Sequence, residues 1–321
     1  MPDDAFQNTG FLTPEAKRPP GGKVVWTRAA DDVRLRVGLW PAEAAKGTVL
    51  IFSGRTEFIE KYGPAAVDYA ARGYATATLD WRGQGLSDRL LDDPKLGHVK
   101  DYLDYQLDVA AFMKTVEAEG LPKPYFLMAH SMGGAIGLRS LIDGLDVAAV
   151  AFSAPMWSLI LPPLINIGTV RFLGALCQAI HMCNHALPGR ERDNYVLIEK
   201  FEDNALTTDP EMWDFMVEVA NACPELTVAA PTINWAKTAI FELERLKVAD
   251  LPDVSTYVAL GDDETVVDPE GVRAMTARWP AAHLEIFEGC RHEVVMSTPD
   301  HRKRFFDATA AHFDMYLGDP R

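Results

Sequence analysis

"PYFLMAHSMGGAIGLRS", residues 124–140, is the stretch on which the reading of this chain turns. An apolar run ends at Ala129, a serine follows two residues later, and Gly133 and Gly134 stand directly behind it. The run has the apolar and aromatic content of a buried strand, and "GGAIGLRS" reads as a helix that starts at once. A serine at such a bend has two explanations. It either caps the helix, or it is a nucleophile held on a strained strand-to-helix turn, where small neighbours let the two backbones pack closely. Ala129 stands where that turn usually has its first glycine, which requires room for one extra methyl.

The flanking sequence repeats the pattern. Residues 47–54, 74–81, 147–155, 254–262 and 282–289 are apolar strand-like runs, and 23–28 and 33–40 alternate as an antiparallel start. Ile59, Tyr62, Ala66 and Tyr69 step by three or four, as do Tyr102, Tyr105, Val109, Phe112 and Val116, and again Phe306, Ala310, Phe313 and Leu317. Each set lays an apolar stripe along one helix face. Strands alternating with helices predict an α/β fold with a mostly parallel central sheet covered on both sides. The rhythm stops between 156 and 245, which reads as several short helices and is too long for a loop. The expected organisation is a core of residues 1–155 and 246–321, interrupted by a helical cap over 156–245.

In such sheets ligands bind beyond the carboxyl ends of the strands. Beyond the 124–130 run lies Ser131. Beyond 254–262 lies "GDDETVVD", which offers Asp262, Asp263, Glu264 and Asp268. Beyond 282–289 lies "CRHE", with His292. Serine, acid and histidine in that chain order are the order of an α/β-hydrolase triad. Backbone N–H donors for an oxyanion are expected after the 47–54 run, at Arg55, and after the serine, at Met132. Gly54 is read as the residue that lets this loop turn tightly. The glycine-rich loop after 74–81 lacks the lysine and spacing of a phosphate site, and its Arg82 is read as a structural buttress.

"SGRTEFIEKYG", "LDWRGQGLSDRLLDDPKLGHVKDYLDY", "AHSMGG", "LGDDETVVD" and "GCRHEVVMS" together resemble the bacterial lysophospholipase and monoacylglycerol lipase group of α/β-hydrolases. The resemblance implies a serine esterase acting on a single-chain acyl lipid through an acyl-enzyme. It implies Ser131 as nucleophile, His292 as base, Arg55 and Met132 as oxyanion donors, and a lid over an acyl channel in the inserted segment. Family spacing places the acid three residues after Gly261, at Glu264, with Asp263 as the second choice. Trp157, Leu159, Ile160, Leu161, Leu164, Ile165, Phe172 and Leu173 are the candidates for the channel wall, or for the cap's own core. No cofactor and no metal are called for. The chemistry that a serine triad performs needs neither.

Three other readings are weighed. An aminopeptidase-like or short-chain hydrolase of the same fold would need a cap carboxylate for the substrate amine, for which Glu191, Glu199, Glu202 and Asp203 are available. A non-catalytic small-molecule receptor would ordinarily lack one of the three triad residue types. Zinc held by Cys177, His181, Cys183 and His185 matches no common ligand spacing, and an ordinary segment explains the cluster equally well.

The bulk numbers narrow the partners. The 321 residues carry a net charge of −15, which argues against nucleic acid and against electrostatic attachment to anionic membranes. No stretch is apolar for long enough to span a bilayer, so no stable membrane insertion is expected. The start, "MPDDAFQNTG", is polar and acidic. Four cysteines make no disulfide framework, and a reduced, cytoplasmic protein is the expectation.

Overall fold

The computed structural model describes residues 10–11, 19–162, 165–189 and 193–318. Eight strands form one sheet: β1 (Lys23–Arg28), β2 (Arg34–Trp40), β3 (Thr48–Phe52), β4 (Ala75–Leu79), β5 (Tyr125–His130), β6 (Val150–Ser153), β7 (Thr256–Gly261) and β8 (Ala282–Phe287). Their order is β1-β2-β4-β3-β5-β6-β7-β8. β2 runs antiparallel to β1 and to β4, and every later pairing is parallel.

The strands are apolar at both parities because both faces of the sheet are covered. Leu50 and Phe52, Leu127 and Ala129, and Val258 and Leu260 face one core. Val49 and Ile51, Phe126 and Met128, and Tyr257 and Ala259 face the other. Helices α1 (Gly63–Ala70), α2 (Tyr105–Ala118) and α3 (Met132–Ile142) follow β3, β4 and β5. The stripe at Val109, Phe112 and Val116 of α2 joins the first core. Ala66 and Tyr69 of α1 pack into the second with Phe306 and Phe313 of the last helix.

Between β6 and β7 the described residues are helical: α4 (Ile167–Ala179), α5 (Tyr195–Ile198), α6 (Pro210–Ala222) and α7 (Ile233–Leu246), with short 3₁₀ turns. Asn166, Asp209 and Thr232 each accept a backbone N–H at the start of α4, α6 and α7. α7 differs from its neighbours in burying Trp235, Ala239, Leu243 and Leu246 in the first core. Its Glu242 meets Arg139 of α3 at 2.6 Å, with the carboxylate buried. α8 (Pro269–Ala277) and α9 (Pro299–Asp314) complete the chain. Among the described residues no helix is long and apolar enough to cross a membrane.

The expectation of a reduced chain is corrected at one place. Cys177 and Cys183, six residues apart, form a disulfide that ties the end of α4 to the following turn. Cys223 and Cys290 are free and buried. With their sulfurs bonded to each other, Cys177 and Cys183 present no thiolate for a zinc ion.

Candidate active site

The carboxyl ends of β3, β5, β7 and β8 bring four loops together. At the end of β5 the chain turns through Ser131, whose φ of 50° lies in the left-handed region. A non-glycine residue held there costs about 1–3 kcal/mol and persists only where its surroundings enforce it. Gly133 is the reason the turn closes: a Cβ there would lie 2.2 Å from the carbonyl oxygen of Phe52 and 2.7 Å from that of Ser53. Gly134 packs in the same way on Pro155. Ala129 finds the room for its methyl at Gly137, where a Cβ would stand 3.3 Å from that of Ala129. Replacing Gly133 by alanine must therefore push β3 and α3 apart. We expect Gly133→Ala to destabilise the fold by about 1–3 kcal/mol, seen as a lower Tm. An unchanged Tm contradicts this account of the turn.

Ser131, His292 and Glu264 lie in one hydrogen-bonded line. His292 Nε2 is 3.0 Å from Ser131 Oγ, and His292 Nδ1 is 2.7 Å from Glu264 Oε2. A carboxylate only accepts, so Nδ1 carries the proton and Nε2 is left to accept from the serine. Glu264 Oε1 accepts the backbone N–H groups of Val266 at 2.5 Å and Val267 at 3.1 Å. Burial works to raise the pKa of Glu264, but the bond and charge of His292, with those two N–H groups, hold the carboxyl below its ordinary value. Asp263 points elsewhere. Its side chain is 64% exposed and stands 3.6 Å from the Arg291 guanidinium. Asp262 accepts the N–H of Gly289, and Asp268 caps α8.

Met132 opens α3, so its N–H has no carbonyl one turn back to bond. Arg55 follows β3 and, like Ser131, lines the cavity described below. Its guanidinium donates to the Ala229 carbonyl at 2.9 Å and lies 5.4 Å from the Trp235 ring centre. Gly54 serves a different purpose from the tight turn read in the sequence. A Cβ on it would meet the Glu57 carboxylate at 2.9 Å, and the positive φ of this loop falls on Thr56. Arg82 is a buried buttress, paired with Asp108 at 2.8 Å and Asp31 at 2.7 Å.

One feature of the site was not visible in the sequence. Glu57, Lys61, His130 and Glu293 are all buried in a cluster beside His292. Lys61 Nζ lies 2.6 Å from Glu57 Oε1 and also bonds Glu293. Glu57, His130 and Glu293 offer three ligand atoms within 4.8 Å of one another. The Lys61 ammonium already bonds both carboxylates and supplies the positive charge a cation would bring.

Ser131 and His292 open into a cavity of about 910 Å³ that runs under the helical segment. Leu159, Ile160, Leu161, Ile165 and Leu173 line it. Trp157 belongs instead to the core, where its indole N–H bonds the Gly134 carbonyl, and Phe172 is 69% exposed. Leu164 and Glu191 lie outside the described residues. Glu199, Glu202 and Asp203 are not among the cavity's lining residues. The carboxylates that are, Glu57 and Glu293, are both bonded to Lys61.

Comparison with known proteins places the chain in a family and agrees with its fold. A family model described as serine aminopeptidase, S33, matches residues 43–299. Lysophospholipase L2 of Escherichia coli (strain K12) is 31% identical over 246 residues, 74% of this chain and 69% of that protein. Probable lysophospholipase L2 of Haemophilus influenzae is 24% identical over 272 residues, 82% of each chain. The fold is shared with a soluble variant of monoglyceride lipase from Saccharomyces cerevisiae, with a TM-score of 0.68 at 18% identity over 90% of this chain and 94% of that one. It is shared too with a carboxyl esterase from Bacillus coagulans, with a TM-score of 0.73 at 18% identity over 92% and 99%.

Proposed function

The chain belongs to the serine aminopeptidase S33 family, as a serine ester hydrolase of its lysophospholipase and monoacylglycerol lipase group, and we propose that it cleaves single-chain acyl lipids, lysophospholipid or monoacylglycerol, through an acyl-enzyme on Ser131. The observation that carries this is the Ser131–His292–Glu264 line opening into a mostly apolar cavity.

The chemistry follows from the proton positions. His292 Nε2 takes the Ser131 proton as Oγ attacks the ester carbonyl. Glu264 keeps the other proton on Nδ1 and stabilises the imidazolium as it forms. The tetrahedral oxyanion is held by the N–H groups of Arg55 and Met132. His292 then gives its proton to the departing alcohol, and the acyl group stays on Ser131. Water then attacks the acyl carbonyl as His292 takes its proton, the bond from the carbonyl carbon to Ser131 Oγ breaks, and His292 returns the proton to Oγ as the fatty acid leaves. Residues 156–245 act as the cap that holds the acyl chain over this site.

An acyl lipid is favoured over an aminoacyl amide because the described cavity wall has no unpaired carboxylate for a substrate amine. The test is a series of p-nitrophenyl esters from about two to eight carbons, beside lysophosphatidylcholine, monoacylglycerol and an aminoacyl p-nitroanilide. Each buried methylene contributes roughly 0.8 kcal/mol, so kcat/KM should rise along the series. A flat or falling series reduces the reading to short acyl groups. Turnover of the anilide alone overturns it. The site of action is proposed to be the cytoplasm. The Cys177–Cys183 bond favours an oxidising compartment, and fractionation of cells producing the protein decides between the two.

A further inference from the structure

Three of the four loops that meet at the site have beside them a residue that enters one buried box. From the loop after β3, two residues beyond Arg55, comes Glu57. From the last position of β5, immediately before Ser131, comes His130. From the loop after β8, immediately after His292, comes Glu293. Lys61, on the 3₁₀ turn Ile59–Tyr62, joins them. Its ammonium bonds Glu57 Oε1 at 2.6 Å and also Glu293. The second Glu57 oxygen accepts the Tyr62 hydroxyl at 2.6 Å and the N–H of Gly54, the residue before Arg55.

His130 completes the box. Its Nδ1 is 3.0 Å from the Ser153 carbonyl, so that nitrogen carries a proton and donates. Its Nε2 faces Glu293 Oε2 at 3.4 Å and Glu57 Oε1 at 3.7 Å. The rings of His130 and His292 lie 4.8 Å apart, centre to centre. Two carboxylates against one lysine leave one negative charge, which a protonated His130 balances. Burial opposes that protonation, but Glu293 and then Glu57 raise the pKa of His130 above its ordinary value.

We infer that Glu57, Lys61, His130 and Glu293 are positioning residues: a buried ionic platform that fixes the oxyanion loop, the serine turn and the histidine loop against one another and sets the charge that faces His292. The inference rests on the roles given above to Ser131 and His292. Burying four ionisable groups is costly unless they pair fully, and a plain apolar core would hold the sheet as well. What an apolar core would lack is the direct tie from the Gly54 N–H, through Glu57 and Lys61, to the residue next to His292. Displacing reacting groups by about 1 Å can cost about 10²-fold in rate.

The sign of the electrostatic effect follows from the charges facing His292. Glu264 bonds its Nδ1, His130 packs on its ring, and Glu293 lies behind with Lys61, Glu57 and Tyr62. Glu293→Gln removes a negative charge and leaves the box with one positive charge in excess, Lys61 and His130 against Glu57. The imidazolium that His292 forms during the reaction is then disfavoured, and the acid limb of kcat/KM moves to lower pH. The charge-balanced pair Lys61→Met with Glu293→Gln removes one charge of each sign. It restores the limb but not the tie.

The experiment measures the pH profile of ester hydrolysis, the split between kcat and KM, and Tm for wild type, Glu293→Gln and the double variant. For Glu293→Gln we expect the acid limb lowered by on the order of one pH unit. For both variants we expect kcat to fall by roughly 10- to 100-fold with KM little changed. The double variant keeps the inference testable if Glu293→Gln does not fold. A folded Glu293→Gln with an unmoved acid limb overturns the inference, as does a folded double variant with wild-type kcat. Wild-type protein that takes no fluorophosphonate at Ser131 overturns instead the reading on which it rests.

Discussion

Ser131→Ala is expected to lower kcat for acyl esters by about 10⁴-fold or more while leaving the fold intact. The variant removes one oxygen. It leaves Gly133, Gly134 and Gly137 in place, and these let β3, β5 and α3 pack closely. The φ of 50° at this position is imposed by that packing, and alanine is tolerated there about as well as serine. Tm should therefore stay close to the wild-type value, which separates a lost nucleophile from a lost fold. KM should change little, because the cavity that holds the acyl chain does not involve the serine oxygen. Residual turnover near the wild-type rate removes Ser131 from the mechanism.

Glu264→Gln is expected to lower kcat by about 10⁴-fold, and Asp263→Asn to leave it within a few-fold. The carboxylate of Glu264 can only accept, so it forces the proton onto Nδ1 of His292. A glutamine can turn its NH₂ toward the ring and hold the other tautomer, in which Nε2 carries a proton and cannot take one from Ser131. The two N–H bonds from Val266 and Val267 keep an amide oxygen in the Oε1 position, which points the NH₂ at His292. Asp263 faces Arg291 and solvent, and an exposed pair of that kind contributes little. A reversal of the two results makes Asp263 the acid.

How much of this was legible in the sequence follows from the physics of each part. The strands were legible because a sheet covered on both faces needs apolar residues at both parities, and runs such as "TVLIF" have them. Their ends were less so: β6 occupies only Val150–Ser153 of the 147–155 run, since an apolar residue past the last ladder bond looks the same in sequence. The meeting of the loops after β5, β7 and β8 follows from strand order, which puts β7 beside β8 and only β6 between β5 and β7. Counting from Gly261 favours Glu264 over Asp263, and it is the Glu264 carboxylate that lies 2.7 Å from His292 Nδ1. A Cβ on Gly261 would lie 2.1 Å from the Cys290 carbonyl oxygen.

The buried ionic box was not legible. Glu57, Lys61 and Glu293 lie in short polar loops, where a charge is normally solvated, and their partners are up to 232 residues apart in sequence. Two signals were available. Gly54 precedes a glutamate by three residues, and His292 is followed at once by a carboxylate. Neither spacing alone implies burial. The disulfide escaped for a similar reason. Two cysteines six residues apart also fit a helix and its exit, and only the turn after α4 brings their sulfurs together.

The central claim is that this chain hydrolyses acyl esters through a covalent intermediate on Ser131. Its most direct measurement is peptide mapping by mass spectrometry after the protein has been stopped in acid during turnover of a medium-chain p-nitrophenyl ester. The account predicts an acyl adduct on the peptide carrying Ser131, absent from Ser131→Ala and scarce in Glu264→Gln, whose His292 cannot take the serine proton. An adduct on another residue, or steady hydrolysis by the wild type with no adduct that also persists in Ser131→Ala, would contradict it.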